Sequence, residues 1–340
     1  MNGRLNGYSR VRLARQLHID GSARDSSAKA IEQLRILSRA AWFGAVCWRL
    51  GANTTASIPD LLVAASSAEN GADLPTQPNA LLSTESKLWN KYARAEASPS
   101  PVSLQFVECL APGTMDAYTT QAWRCLDVST PLRSGASRLL GGLSGPVQAC
   151  VFEPQRLRLG IYQRSSSPVH EIAWSLSQLA TLDSLAALVV LLREDNEQQG
   201  ENGLELGREL YTCLLLLSLR GAMYHWMSEL IWYLDRHVLP IARNEDVSIR
   251  AGVERVTCQR MLLMTTLALD DESVTMEMPG YVVHQLRDRF DDPDLEDALG
   301  PTFRFDENGS AKSRFMLLQN LTAERALARI CDRVKSAQSS

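Results

Sequence analysis

The chain has 340 residues, 45% of them hydrophobic and 22% charged, with a formal net charge of -4. That length and apolar content imply a globular chain able to fill two domains or one large helical one, and the mild acidity excludes a generally cationic nucleic-acid coat. The charge is unevenly placed: residues 1–150 hold 15 Lys and Arg against 11 Asp and Glu, net +4, and residues 151–340 hold 20 against 28, net -8.

Seven cysteines, Cys47, Cys109, Cys125, Cys150, Cys213, Cys258 and Cys331, are widely spaced without a Cys-x-x-Cys pair, which fits free thiols in a reducing cytosol. No stretch reaches the roughly eighteen uncharged apolar residues of a membrane helix, so no membrane is expected among its partners, and the N-terminus lacks the apolar core of a signal peptide. A cytoplasmic protein is expected.

Met1 to Asp20 carries Arg4, Arg10, Arg12 and Arg15 against the single acid Asp20. It is read either as an arm following a phosphate backbone, or as an amphipathic helix packing Val11, Leu13, Ala14 and Leu17. Ala28 to Leu50 is a stronger helix, with Ile31, Leu34, Leu37, Ala41, Val46 and Leu50 near helical spacing, Trp42, Phe43 and Trp48 adding bulk, and Gly51 as its stop. A short helix at Ile58 to Ala68 follows, stopped at Asn70-Gly71. Pro78 then opens about one turn through Ala80-Leu81-Leu82.

Ser83 to Pro112 organises the rest. At helical spacing Leu88, Trp89, Tyr92 and Ala95 share one arc, and Lys87, Asn90, Lys91 and Arg94 share the opposite one. Three cations and an amide are the groups that neutralise phosphates and read base edges in a major groove. A plain solvated helix face has the same composition. Ser98-Pro99-Ser100-Pro101 stops that helix, Ser100 caps the next with Pro101 at its first position, and Pro112-Gly113 ends it.

The run Ser86 to Arg94, then Ala95-Glu96, Ser98-Pro99-Ser100-Pro101 and Val102 to Leu110, resembles the lambda-repressor-like, or Xre-type, helix-turn-helix DNA-binding domain. In that family a Ser-rich recognition helix ends in an aromatic, a basic residue and a glycine, followed by Pro-Ser and another apolar helix. The resemblance is confined to residues 83–112. It departs from the pattern at Ala95, which stands in place of the turn glycine and has to adopt a left-handed conformation or end the helix differently. It implies binding to double-stranded DNA, with Ser86, Lys87, Asn90, Lys91 and Arg94 at the groove.

Beyond this, Met115 to Leu126 is expected as a packing helix. Ser129 to Pro146, rich in Ser, Gly and Pro with cations and no acid, is expected as a linker. Val147 to Gln163 alternates at Val147, Ala149, Val151 and again at Leu157, Leu159, Ile161, which predicts one short β-hairpin at 147–163 with Arg156, Arg158 and Arg164 on its other side. From Val169 the chain turns helical: His170 to Glu194, then Leu204 to His237, apolar around most of its circumference, then Asp246 to Leu269 after Pro240, Tyr281 to Phe290, and Ala311 to Ala337. The acids Asp291, Asp292, Asp294, Glu296 and Asp297 lack the spacing and turn glycine of a calcium loop and suit a solvated face.

The five histidines are scattered, and His225 with Glu229 at helical spacing makes at most half a metal site. With no nucleophile elbow, Cys-His signature or phosphate-loop spacing, neither an enzyme nor a cofactor or metal is expected. The resulting expectation is mainly α: a helical domain at 1–128 with the helix-turn-helix module, a linker and hairpin at 129–168, and a C-terminal helical bundle at 169–340. Its function would be binding of double-stranded DNA in transcription regulation or mobile-element maintenance, as a homodimer or homo-oligomer joined through the greasy C-terminal helices, or with a protein partner there. The alternative is an adaptor whose degenerate helix-turn-helix and acidic bundle bind proteins.

Overall fold

A computed structural model describes residues 26–68, 79–83, 87–133, 135–223, 225–244, 247–266, 299–305, 325 and 328. The Met1 to Asp20 arm, Ser86, Tyr281 to Phe290, the acidic run at 291–297 and most of Ala311 to Ala337 lie outside them. The described residues are mainly helical, with one two-stranded sheet. They gather into two compact units. One comprises residues up to Trp123 together with Ala222–Leu230, the other Arg124–Gly221 and residues from Ile231 on.

The first unit is built on α1 (Ser26–Leu50), which runs for 25 residues. Leu37, Ala41, Trp42 and Val46 recur on one side of it and are buried. Gly51, at φ 64°, ends it, with the Ala52 N–H reaching back to the Cys47 carbonyl at 2.8 Å. Around it stand α2 (Ile58–Ala68), α3 (Asn79–Leu82), α4 (Leu88–Ala93), α5 (Pro101–Leu110) and α6 (Thr114–Thr119). Trp42, Ile58, Leu62, Leu81, Trp89 and Phe106 meet in one core.

Ser100 caps α5 as its position suggests, accepting the Ser103 N–H at 3.1 Å, with Pro101 in the first turn. The carboxylate of Glu108 then takes the N–H groups of Gly113 and Met115, both at 2.6 Å, and the Thr114 hydroxyl at 3.0 Å. One side chain thereby satisfies orphan donors at the start of α6. The expected helix over Met115 to Leu126 is divided at Thr120 into α6 and α7 (Ala122–Leu126). Trp123 packs on Trp226 at 5.6 Å, and a Cβ at Gly44 would lie 3.0 Å from the Ala222 carbonyl oxygen, so the Ala222–Leu230 segment is seated closely within this unit.

The second unit corrects the expectation for 129–168. Residues 147–163 form no hairpin: α9 (Gly145–Val151) and α10 (Pro154–Leu157) occupy most of that stretch, preceded by α8 (Ala136–Gly141). Val147 and Val151 satisfy strand alternation, but they are also four apart, and both are buried on one helical side. Pro146 and Pro154 each sit in a first helical turn, where their missing N–H costs nothing. Only a single antiparallel bridge, Phe152 to Arg164, retains the strand character. The expected linker likewise buries Ala136, Leu140 and Leu143. The sheet instead pairs β1 (Val247–Arg250) with β2 (Thr302–Phe305), antiparallel, Val247 opposite Phe305.

The long apolar runs are broken as well. His170 to Glu194 becomes α11 (Val169–Leu179) and α12 (Leu182–Glu197), separated by Ala180 at φ 46° and a Thr181–Ser184 capping box. Leu204 to His237 becomes α13 (Gly203–Ser218), a 3-10 turn at Gly221–Met223, α14 (Met227–Tyr233) and a π-helical turn at Leu234–Val238. Leu206, Leu210, Tyr211, Leu214, Leu215 and Leu217 of α13 are all buried in the unit's own core. The apolar side chains on most of the α13 circumference are thus covered within the chain.

Arg193, buried on α12, donates to the carbonyls of Cys125 and Thr130, and Glu197 one turn on accepts the N–H groups of Leu132 and Arg133 at 2.8 and 3.1 Å. Burial pulls the Arg193 guanidinium below its usual range, with Asp127 and Glu197 opposing. Further along, α15 (Val253–Thr266) follows the sheet strand, and Asp235 holds Arg250 through both Nε (2.8 Å) and Nη2 (2.6 Å).

Candidate nucleic-acid interface

The inner side of α4 is fixed by aromatic packing. Trp89 stacks on Trp42 at 5.9 Å, Tyr92 meets Trp42 edge-on at 5.0 Å, and the Trp89 indole N–H donates to the Leu81 carbonyl at 2.9 Å. These contacts tie α4 to α1 and α3, leaving Lys87, Asn90 and Lys91 exposed on the outer side.

The helix ends as the departure at Ala95 requires. Ala95 adopts φ 52°, its N–H bonds the Tyr92 carbonyl, and the Glu96 N–H bonds the Lys91 carbonyl, both at 2.9 Å. This is the closure a glycine usually supplies. Arg39 of α1 donates to the Ala95 carbonyl at 3.2 Å and helps hold the turn.

Two of the predicted groove residues already have partners. Asn90 accepts a hydrogen bond from the Thr55 hydroxyl at 2.7 Å, and Arg94, half-buried, pairs with Glu96 through Nε at 2.8 Å and Nη2 at 2.9 Å. The structure therefore brings Lys87, Asn90 and Lys91 together on one face and turns Arg94 into a neutralised pair. Glu96, two residues from Arg94, was the signal for that pairing. Nothing near Asn90 in sequence points to Thr55, because the contact is made by the fold.

The helix is six residues long, about 9 Å, so it presents one short row of side chains. His225 and Glu229, four residues apart, both belong to the first unit. Among the described residues no group of three or more His, Cys, Asp or Glu stands close enough to hold a metal ion. His237 lies beside Tyr233 at 5.0 Å, and burial, with Arg236 adding to it, lowers its pKa to about 4.

No family model, curated protein or solved structure matches the chain. What is established is the class: a mainly α protein in which, among the described residues, no helix is long and apolar enough to cross a membrane.

Proposed function

We propose that the chain binds double-stranded DNA through the outer side of α4, as a cytoplasmic regulator of transcription or of a mobile element. Lys87 and Lys91 would engage phosphates and Asn90 a base edge, with adenine its natural partner. The observation that carries this reading is the exposure of Lys87, Asn90 and Lys91 on one side of a helix whose other side is locked by Trp89 and Tyr92. So short an element makes few contacts, and dimerisation on paired half-sites belongs to the same reading.

The test is duplex binding by the full chain across a salt series, beside the triple variant Lys87→Ala, Asn90→Ala, Lys91→Ala. Two phosphate contacts per chain predict a slope of log affinity against log salt near -2 per protomer, at about -0.9 per contact, lost in the variant. A wild-type chain that retains no duplex even at low salt sinks the proposal. The second reading, an adaptor using the same face for a protein, draws support from the Asn90–Thr55 and Arg94–Glu96 pairs, which occupy groups otherwise aimed at bases.

A further inference from the structure

In the second unit every residue from Arg158 to Gln163 is exposed, with Leu159 at 71%, Tyr162 at 48% and Ile161 at 47%. Six consecutive exposed residues make a projection. It is held in shape from within: Gly160, at φ 71°, donates to the Leu157 carbonyl at 2.9 Å, and Ile161 donates to the Arg156 carbonyl at 3.0 Å. In such a helix-ending motif the residue after the glycine ordinarily packs its apolar side chain back on the helix. Ile161 does not.

The base of the projection is anchored. The Glu153 N–H bonds the Gln163 carbonyl at 2.9 Å, and the Tyr162 ring lies 5.2 Å from Phe152. That ring also lies so near Gly141 that a Cβ there would meet it at 3.1 Å. Leu159 and Ile161 are therefore presented to solvent by an ordered turn.

The segment itself is cationic: residues 129–168 contain five arginines and one acid, Glu153, in a chain of net charge -4. Arg164 is paired with Glu194 at 3.1 Å, and Asp183 and Glu197 take backbone N–H groups of Ser144, Leu132 and Arg133. Glu153 is engaged by the N–H and hydroxyl of Ser166 at 2.7 and 2.9 Å. Arg156 is exposed on α10 beside the projection, Arg158 on the projection itself, and Arg138 on α8 one turn before Gly141, on the side that Tyr162 covers.

We propose that this projection docks the protein on an anionic phospholipid surface. Leu159 and Ile161 enter the acyl boundary, Tyr162 sits at the headgroup level, and Arg138, Arg156 and Arg158 meet the phosphates. Aliphatic tips, an interfacial aromatic and flanking cations are what such a surface complements. An acidic peptide would need a groove, and a duplex would leave both aliphatic tips in water. The proposal uses none of the residues of α4.

The test is co-sedimentation of the full chain with vesicles of phosphatidylcholine alone and of phosphatidylcholine mixed with phosphatidylglycerol. Binding to the anionic mixture should be about tenfold or more the tighter, and Leu159→Ser with Ile161→Ser should weaken it by about tenfold. Arg156→Gln with Arg158→Gln should weaken it similarly and flatten its salt dependence, while the Lys87, Asn90, Lys91 triple variant keeps it. No preference for anionic vesicles overturns the proposal, as does unchanged binding by the Leu159, Ile161 variant. A wild-type dimer that this variant dissociates would overturn it too, assigning the projection to a second copy. Circular dichroism confirms that each variant, changed only at exposed positions, is folded.

Discussion

Trp42 and Trp89 stack with their ring planes 14° apart, yet only one of the two indoles is satisfied: Trp89 donates to the Leu81 carbonyl, while Trp42 Nε1 is buried without a hydrogen-bond partner. The pair joins the longest helix of the first unit to the shortest elements around it. Its stability is therefore carried unequally by its two members.

Trp89→Phe removes ring volume and also strands the Leu81 carbonyl, whereas Trp42→Phe removes ring volume together with an orphan donor. Trp89→Phe should cost about 2–3 kcal/mol and Trp42→Phe about 1 kcal/mol less. Urea unfolding of the two variants checks this. Equal losses would mean that the Trp89–Leu81 bond contributes nothing.

Two non-glycine residues at positive φ respond differently to glycine. Gln199, at φ 56°, closes the end of α12 from an exposed position, with the Gly200 N–H on the Asp195 carbonyl at 2.8 Å. Gln199→Gly should stabilise the protein by up to about 1 kcal/mol by relieving left-handed strain. Ala95 has the same strain, but its methyl is buried. Ala95→Gly forfeits about 0.8 kcal/mol of burial and should be nearly neutral. Thermal melts of the two variants read the difference.

Glu108 sets an acid-side dependence. Burial raises its carboxyl, but the hydrogen bonds from Met115, Gly113 and Thr114 outweigh that and leave it below the ordinary glutamate value of 4.5. Its contribution is present above that value and is lost as pH falls through the lower folded one. Glu108→Gln should flatten the acid limb of stability against pH. Glu108→Ala, which leaves the start of α6 uncapped, should cost about 2 kcal/mol at neutral pH. An unchanged acid limb in Glu108→Gln would refute the assignment.

His237 acts over a higher range. Its folded pKa of about 4 lies below the ordinary histidine value of 6.5, so the unfolded chain binds the proton first. Stability is full above about pH 6.5 and declines as pH falls towards 4. His237→Phe, which keeps an aromatic ring beside Tyr233, should remove that decline, read as the pH dependence of the urea midpoint. A decline of the same size in the variant would place its source elsewhere.

Gly141→Ala would put its methyl against the Tyr162 ring at 3.1 Å. Displacing that ring loosens the anchored base of the 158–163 projection. The expected result is a destabilisation of about 1–3 kcal/mol, the usual size of overpacking, with increased proteolysis within residues 156–163. Wild-type protection there would show that the ring has room to move.

The parts of this protein legible from sequence are those decided within a few residues. The mainly α class follows from the spacing of apolar positions. Gly51 stops α1 because its left-handed turn carries no steric penalty, and Ser100 with Pro101 starts α5 because a side-chain oxygen and a missing N–H both suit a first helical turn. The demand on Ala95 was legible for the same reason. Only the tertiary structure decided which period prevails at 147–163, where Val147 and Val151 fit a strand and a helix alike until their neighbours bury them on one side. At the break beside Ala180 it also set a contact between residues distant in sequence, the Leu179 carbonyl accepting from Arg220 Nη2 at 3.2 Å. On the face of α4 the amino acids supplied the charges, and the fold set Thr55 on Asn90 and closed Glu96 on Arg94, because a side chain's availability depends on what the chain brings beside it.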